Sequence, residues 1–245
     1  MFRVKHESPI RRVSTCKLLV VFCDVSQLDS SIYTVDWIRQ LVSGFDLLKG
    51  VSPSVSIIIA GLTTGSNEQR EQAAYAIGDL VERTDKTVIR PFIVPITGPL
   101  IRVATQATSY PAGVKIAILS ALGKMLERIP LFVKPFFPQL QRTFVKSLSD
   151  SSSGAVRRKG ADVLGVLMRN QPRVDPVIAE LITGARESDD SVSTSYVHAL
   201  VNVAKNASHN VGEKAWESCI EIVSEAFREA HSGMLMIMSC WGSCL

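Results

Sequence analysis

Three short phrases, each built around a proline and followed by apolar side chains, recur along this chain at nearly equal intervals. Their prolines are Pro91, Pro135 and Pro176, which lie 44 and 41 residues apart in the 245-residue sequence. A period of about 40–47 residues with two helices in each period is typical of HEAT and armadillo repeats. The spacing therefore predicts an all-α fold, an α-solenoid of about four to five HEAT-type helical hairpins with atypical ends.

A glycine recurs at a matched place in the second helix of three predicted hairpins. These glycines are Gly78, Gly123 and Gly165, which are 45 and 42 residues apart. Because a glycine inside a helix costs about 0.5–1 kcal/mol relative to alanine, its recurrence indicates a need for close packing. Each hairpin also leaves an apolar face that only its neighbour can bury, so stability is expected to lie mainly between adjacent hairpins.

The apolar spacing divides the array into four hairpins and one further helix. The predicted pairs are 55–62 with 68–82, 88–105 with 112–128, 131–148 with 154–169, and 176–186 with 192–205, followed by a helix over 211–230. Ser52 is expected to cap the first helix with Pro53 at its first position, and Ser66 or Asn67 to cap the second. Prolines inside 88–105 predict a broken or kinked helix there.

The two ends of the chain depart from this rhythm. Residues 1–50 are predicted to form an atypical segment or a degenerate cap, because end repeats of solenoids differ from central ones. Residues 51–230 form the predicted HEAT array. Residues 231–245 are predicted to be an irregular apolar tail, since they show no polar face.

Composition favours a cytoplasmic protein with no membrane partner. The net charge of +4 is too small by itself to indicate nucleic-acid binding. Five cysteines without a CxxC pair favour free thiols over a disulfide framework. The apolar run 18–23 is far shorter than the ~20 residues that cross a bilayer, and Asp24 ends it too early for a secretory signal.

The sequence lacks the motifs that usually carry catalysis. It has no phosphate-binding loop, no dinucleotide fingerprint, no HExxH and no GxSxG. Its four histidines are widely separated, and Asp189 and Asp190 are better explained by a helix N-terminus than by a metal. We therefore predict that the protein is not an enzyme and uses no cofactor, metal or small-molecule substrate.

Basic residues provide the candidate binding sites. A cation lies eight residues before each matched glycine, at Arg70, Lys115 and Arg157, and Arg158 and Lys159 extend the last of these. One interpretation is a structural ladder that pairs with acids of a neighbouring repeat; the other is an inner basic stripe for an acidic partner or rRNA. Arg102 is the last residue of the segment 98–102, which is predicted to form a rigid turn or a kinked helix. Its planar guanidinium group is suited to binding a carboxylate or a phosphate.

Four longer phrases carry a family resemblance: residues 67–74 (NEQREQAA), 94–102 (VPITGPLIR), 134–146 (KPFFPQLQRTFVK) and 173–176 (RVDP). They resemble the large ribosome-bound HEAT solenoids that activate the eIF2-alpha kinase in general amino-acid control. The resemblance covers residues 44–230. The sequence differs from the family at residues 151–154 and at both ends of the chain.

This resemblance implies a non-catalytic adaptor that promotes kinase activation under amino-acid starvation. Its implied partners are the RWD domain of the kinase and the ribosome, through ribosomal proteins or rRNA, with Arg102 as the favoured contact. The alternative is a generic HEAT scaffold, such as a phosphatase subunit or a fragment of a transport receptor.

Overall fold

The computed structural model describes residues 48–106 and 110–230, and these residues form helices and no β-strand. The α-helices are α1 (Leu48–Thr64), α2 (Asn67–Arg83), α3 (Lys86–Ile89), α4 (Ile93–Thr105), α5 (Ala112–Arg128), α6 (Pro130–Val133), α7 (Phe137–Leu148), α8 (Gly154–Met168), α9 (Asp175–Glu187), α10 (Asp190–Ala207) and α11 (Glu213–Ala230). Short 3-10 turns cover Arg90–Phe92, Lys134–Phe136 and Ser208–Asn210. The predicted all-α class, a solenoid of helical hairpins, is confirmed. The predictions for residues 1–47 and 231–245 lie outside the described residues.

The chain divides into two compact units, and unit 1 ends at Phe136. Its hairpins are α1 with α2, and the α3–α4 segment with α5. The first helices of the two hairpins, α1 and α4, pack against each other, and so do the second helices, α2 and α5. The contact between α2 and α5 is the more extensive of the two. This order is the one that stacked hairpins require, because each hairpin covers the apolar face of the preceding one.

Unit 2 begins at Phe137 and repeats the arrangement. Helices α7 and α8 form one hairpin and α9 and α10 the next, and the second helices α8 and α10 make its largest contact. Helix α11 packs on both α9 and α10.

The sequence of α11 predicts an apolar stripe of Trp216, Ile220, Val223 and Phe227, spaced by four, three and four residues, and the structure buries a different face. Trp216 and Ile220 remain 37% and 42% exposed, whereas Cys219 and Ile222 are buried at 4% and 5%. The stripe is correctly spaced for one helix face, but contact with the two helices beneath α11 selects the neighbouring face.

The start of α2 follows the local sequence closely. The Ser66 hydroxyl accepts a hydrogen bond from the Gln69 backbone N–H at 3.3 Å, and the Ser66 backbone N–H donates to Gln69 Oε1 at 2.9 Å. These reciprocal bonds form a capping box, which satisfies two N–H groups that have no partner inside the helix. The cap predicted at Ser66 is confirmed.

Prolines interrupt the first helices of two hairpins, as predicted for 88–105 but contrary to the single helix predicted over 131–148. Helix α3 passes into a 3-10 turn at Arg90–Phe92 before α4 begins, and α6 passes into the similar turn Lys134–Phe136. Pro91 and Pro135 sit inside these turns. A proline lacks an N–H and clashes with the preceding turn of an α-helix, so the chain tightens locally instead of continuing.

Two local predictions are wrong. Helix α1 begins at Leu48, so Ser52 is not its N-cap. Val51 and Leu62 are fully buried on this longer helix, and tertiary packing therefore outweighs the local start signal. Of the two alternatives given for residues 98–102, the turn is wrong and the helix is observed, because Pro99 lies inside α4. Burial of Leu100 and Ile101 offsets the cost of a proline within the helix.

Two of the matched glycines lie where a neighbouring helix packs close to them. A Cβ atom on Gly78 of α2 would lie 3.1 Å from Cδ of Lys124 on α5. On Gly165 of α8, a Cβ would lie 2.9 Å from the backbone oxygen of Asn202 on α10. The packing explanation for these two glycines is confirmed.

By length and composition alone, one described segment, Lys86–Thr105, is apolar enough to cross a membrane. This is weak evidence, because core helices of globular proteins meet the same test. In this segment Ile89, Ile93, Ile96 and Leu100 are buried within unit 1, which accounts for its apolar composition.

We predict that Gly165→Ala destabilises the fold by about 1–3 kcal/mol, because the new methyl group would collide with backbone that cannot rotate away. Urea titration followed by circular dichroism would measure the loss. Gly154→Ala in the same helix is the matched control, since its Cβ would meet only Arg157 Nη2 at 3.6 Å. Equal stability of the Gly165→Ala chain and the parent would contradict the packing explanation.

Candidate partner-binding surface

Arg102 lies on the outer face of α4. The opposite face of this helix is buried in unit 1 through Ile96, Leu100 and Val103. The Arg102 side chain is exposed, and within the described residues it makes no ion pair or side-chain hydrogen bond. A guanidinium without an internal partner can offer its planar donors to a carboxylate or phosphate of another molecule.

The segment around Arg102 is uniformly basic. Residues 86–106 contain Lys86, Arg90 and Arg102 and no acidic residue. The Arg90 guanidinium lies over the Phe132 ring at 5.3 Å from its centre, a cation–π contact that fixes its position while Arg90 stays exposed. Lys86 lies beside the Asp85 carboxylate, so the positive charge that this stretch presents comes mainly from Arg90 and Arg102.

Arg157 has a structural position. Its Nη1 donates to the backbone oxygen of Asp150 at 2.9 Å, and its Nε donates to Ser195 Oγ at 3.0 Å. A longer bond of 3.3 Å joins Nη2 to the backbone oxygen of Ser191. Arg157 thus ties α8 to the end of α7 and to α10. These partners are carbonyls and a hydroxyl, so the acid pairing expected for a ladder is wrong at this residue.

The matched cations of unit 1 also face inward. Arg70 Nη1 donates to the backbone oxygen of Leu62 at 2.7 Å, in the last turn of α1, and its guanidinium lies 5.1 Å from the Tyr110 ring centre. Arg70 and Arg157 therefore both close their own hairpin by satisfying a carbonyl near the end of its first helix. Lys115 is only 6% exposed and has an interaction within the protein.

The other two members of the triplet differ from Arg157. Arg158 is exposed and makes no side-chain hydrogen bond or ion pair with the described residues, whereas Lys159 is half-buried near Asp162. Among the five candidate site residues, only Arg102 and Arg158 are exposed and without such a bond in the described part of the chain. Arg102 belongs to unit 1 and Arg158 to unit 2.

A polar cluster links α8 to α10. Asp162 Oδ1 lies 3.1 Å from His198 Nε2 and accepts a hydrogen bond from Asn202 Nδ2 at 2.9 Å. Burial pushes the pKa of Asp162 upward, but the His198 and Asn202 hydrogen bonds and the nearby Lys159 charge outweigh burial and lower it. The His198 imidazole therefore has a polar partner within the protein.

A second cluster links α2 to α5. The Lys124 ammonium bonds Asp79 at 2.7 Å and Glu82 at 2.8 Å. Burial acts to lower the pKa of Lys124, but these two carboxylates outweigh burial and raise it, and Lys124 in turn lowers the pKa of Glu82. Arg128 and Glu127 complete the shallow depression around this cluster. The arrangement is a structural bridge between second helices.

The described residues offer little reactive chemistry. In residues 48–106 and 110–230, no group of three or more His, Cys, Asp or Glu side chains could hold a metal ion. Burial, with the nearby Asp175 carboxylate, raises the pKa of the Cys219 thiol to about 11. At neutral pH this thiol stays protonated, so it is a poor nucleophile.

The sequence interpretation missed two positions beside Arg102. Val94 is 66% exposed on the same helix. A Cβ atom on Gly98 would meet no atom of the described residues within 4 Å. Gly98 directly precedes Pro99 within α4, and a proline ring crowds a Cβ atom on the preceding helical residue, so the fold itself accounts for glycine at this position.

Comparison with known proteins finds several relatives. The chain is 43% identical over 187 residues to the eIF-2-alpha kinase activator GCN1 of Saccharomyces cerevisiae, covering 76% of this chain and 7% of the relative. It is 42% identical over 172 residues to the human stalled ribosome sensor GCN1, covering 69% and 6%. The protein ILITYHIA of Arabidopsis thaliana is 38% identical over 172 residues, covering 70% and 6%. No family model matches the chain.

These relatives confirm the family resemblance inferred from the four phrases. The chain spans only about 6–7% of the length of the relatives it matches. Among solved structures, an engineered protein aligns with a TM-score of 0.57 over 97% of this chain and 95% of its own, at 15% identity. That similarity concerns the fold alone.

We predict different outcomes for adjacent arginines of α8. Arg157→Ala should lower the free energy of unfolding by about 1–3 kcal/mol, because it removes charged hydrogen bonds and leaves carbonyls unpaired. Arg158→Ala should change it by less than about 0.5 kcal/mol, as is usual for exposed side chains. Thermal and urea unfolding would measure both, and equal effects would contradict the structural assignment of Arg157.

Asp162 should make stability depend on acid pH. Its folded pKa lies below the ordinary 3.8, so the unfolded carboxyl takes up a proton more readily than the folded one. The resulting stabilisation is complete above the unfolded pKa and is lost as pH falls through the lowered folded value. We expect Asp162→Asn to flatten the dependence of the urea midpoint between about pH 5 and pH 3.

The matched control for this measurement is Asp189→Asn. Asp189 is exposed at the N-cap of α10 and makes no side-chain capping bond. If both variants keep the parent's acid dependence, the cluster around Asp162 does not govern it.

Proposed function

We propose that this chain, related in sequence to one segment of the GCN1 proteins, is part of a non-catalytic scaffold that contacts the eIF2-alpha kinase and the ribosome. Support comes from relatives named as a kinase activator and as stalled ribosome sensors. Because the chain spans a small part of those proteins, their activity and partners are carried over here as a proposal. The kinase partner is its RWD domain, and the setting is translational control in the cytoplasm under amino-acid starvation.

The observation that carries the kinase contact is the exposed Arg102 on α4. It lies within the phrase 94–102 that resembles the family, and it makes no ion pair or side-chain hydrogen bond in the described structure. A bidentate arginine–carboxylate pair would give such a contact both attraction and orientation. Arg102 is therefore the residue we assign to the RWD domain.

The ribosome contact is assigned to a different residue. Arg158 on α8 is exposed and can approach a phosphate of rRNA or a carboxylate of a ribosomal protein, with Lys159 adding positive charge beside it. Lys115 and Arg157 are held within the protein, and we assign both to stability rather than to partner binding. No step of this function needs a catalytic group, a cofactor or a metal.

The test is binding of the purified RWD domain to the immobilised 245-residue chain. We predict that Arg102→Glu lowers binding at least about tenfold, because it replaces an attractive pair with like-charge repulsion. Arg142→Glu is the matched control, since Arg142 is an exposed arginine on α7, also the first helix of its hairpin. Circular dichroism would establish that both variants remain folded.

Three results separate the possible functions. Loss of binding in Arg102→Glu alone supports the proposed contact. Equal binding by both variants and the parent would move the contact away from α4. Failure of the parent chain to bind the RWD domain would leave the generic HEAT scaffold as the better interpretation of this segment.

A further inference from the structure

The most exposed large apolar side chains among the described residues belong to two neighbouring segments of unit 1. Val94 on α4 is 66% exposed, and Leu131 on α6 is 80% exposed. Exposed prolines accompany both of them, and a proline ring is apolar, rigid and without a backbone N–H. We call this set the proline patch, which consists of Pro91, Val94, Pro95, Leu131 and Pro135.

The contact between Arg90 and Phe132 joins these two segments. The Arg90 guanidinium lies 5.3 Å from the centre of the Phe132 ring. Arg90 directly precedes Pro91, and Phe132 directly follows Leu131. Helices α4 and α6 also pack against each other. Both groups of apolar residues in the patch therefore lie next to the same contact.

The stacking of the hairpins does not account for this exposed surface. Within unit 1, α4 already packs on α1, α5 and α6, and it turns Ile93, Ile96 and Leu100 into the core. The exposed side of α4 is therefore not the side that a neighbouring hairpin covers. Single exposed apolar residues are common on protein surfaces, whereas several gathered in one place mark a site of interaction.

We propose that the proline patch is the apolar part of the contact with the kinase RWD domain, and that it binds an acidic segment carrying an aliphatic side chain. This inference rests on the proposed function, because it takes that domain as the owner of the segment. The aliphatic side chain packs on Val94, Leu131 and the proline rings. Carboxylates of the segment pair with Arg90 and Lys134, as another pairs with Arg102.

Charge favours an acidic occupant. From Lys86 to Phe136, the end of unit 1, Glu127 is the only acidic residue, whereas seven residues are lysine or arginine. Arg90 and Lys134 stand beside the patch, are exposed and make no ion pair with the described residues. Such a surface attracts a negatively charged partner.

The chemistry of the patch favours a protein segment over a nucleic acid. Single-stranded nucleic acid binds largely through bases that stack on aromatic rings. The proline patch contains no aromatic side chain, and the Phe132 ring beside it already faces the Arg90 guanidinium. Its aliphatic groups are instead suited to an aliphatic side chain of a protein.

Two substitutions of Leu131 separate apolar contact from size. Leu131→Gln should weaken RWD-domain binding about tenfold, because the amide has to lose its water on binding without gaining an apolar contact. Leu131→Met should keep the affinity within about threefold, because it stays apolar and similar in volume. Since Leu131 is 80% exposed, both variants should keep the melting temperature of the parent within about 2 °C.

The experiment is isothermal titration calorimetry of the RWD domain with the complete chain and its variants. Ile220→Gln is the matched control, because Ile220 is an aliphatic residue 42% exposed on α11 of unit 2, and it should leave the affinity unchanged. Repeating the titrations at about 0.5 M salt should weaken binding of the parent, because salt screens exposed charges. The tenfold ratio between the parent and Leu131→Gln should persist there, since apolar contact is not screened.

The outcomes distinguish failure of this inference from failure of the proposed function. If the parent chain does not bind the RWD domain, the proposed function fails and this inference fails with it. If the parent binds, Arg102→Glu weakens binding and Leu131→Gln does not, only the proline patch is wrong. A fall in melting temperature of more than about 5 °C in Leu131→Gln would show that another part of this chain covers the patch.

Two further results would assign the patch to a different occupant and overturn the inference. One is a parent chain that sediments as a dimer and becomes a monomer in Leu131→Gln, which would make the patch an interface between two copies. The other is a single-stranded RNA that competes with the RWD domain and loses affinity for Leu131→Gln, which would make the patch a nucleic-acid site.

Discussion

The close approach of second helices controls the rest of this structure. Helix α2 meets α5 at Gly78, where a Cβ would crowd the Lys124 side chain, and α8 meets α10 at Gly165, where a Cβ would collide with backbone. Close approach then brings polar groups of both helices together. The Lys124 bridge in unit 1 and the Asp162 cluster in unit 2 both lie beside these contacts.

Because of this constraint, the charged residues of the two helices of a hairpin have different roles. The second helices use their cations internally: Arg70 and Arg157 satisfy carbonyls of their own hairpins, and Lys115 is buried. The first helices meet one another less extensively and keep charged side chains exposed, as at Arg90 and Arg102. The surface proposed for partners therefore lies on α4 rather than along the matched cations that the repeat pattern first suggested.

Local signals predicted the hairpins, whereas long-range contacts decided the details. Ser66 and Gln69 are three residues apart, so the start of α2 could be read directly from the sequence. The start of α1 and the continuity of α4 through Pro99 depend on packing against other helices, and local preferences misplaced both. The same distinction applies to the sites. Arg102 was chosen as a contact from the sequence, but its exposure and the carbonyl partners of Arg157 can be seen only in the folded arrangement.

An exposed cation alone cannot hold a partner firmly. A solvent-exposed ion pair contributes about 0–1 kcal/mol, whereas micromolar affinity requires about 8 kcal/mol. Arg102 can therefore steer and orient an acidic partner, but most of the affinity has to come from desolvated, closely packed contact. On α4 apolar surface is available beside Arg102, where Val94 is 66% exposed. The charge of Arg102 therefore affects which partners associate with α4, and closely packed apolar contact determines how slowly they dissociate.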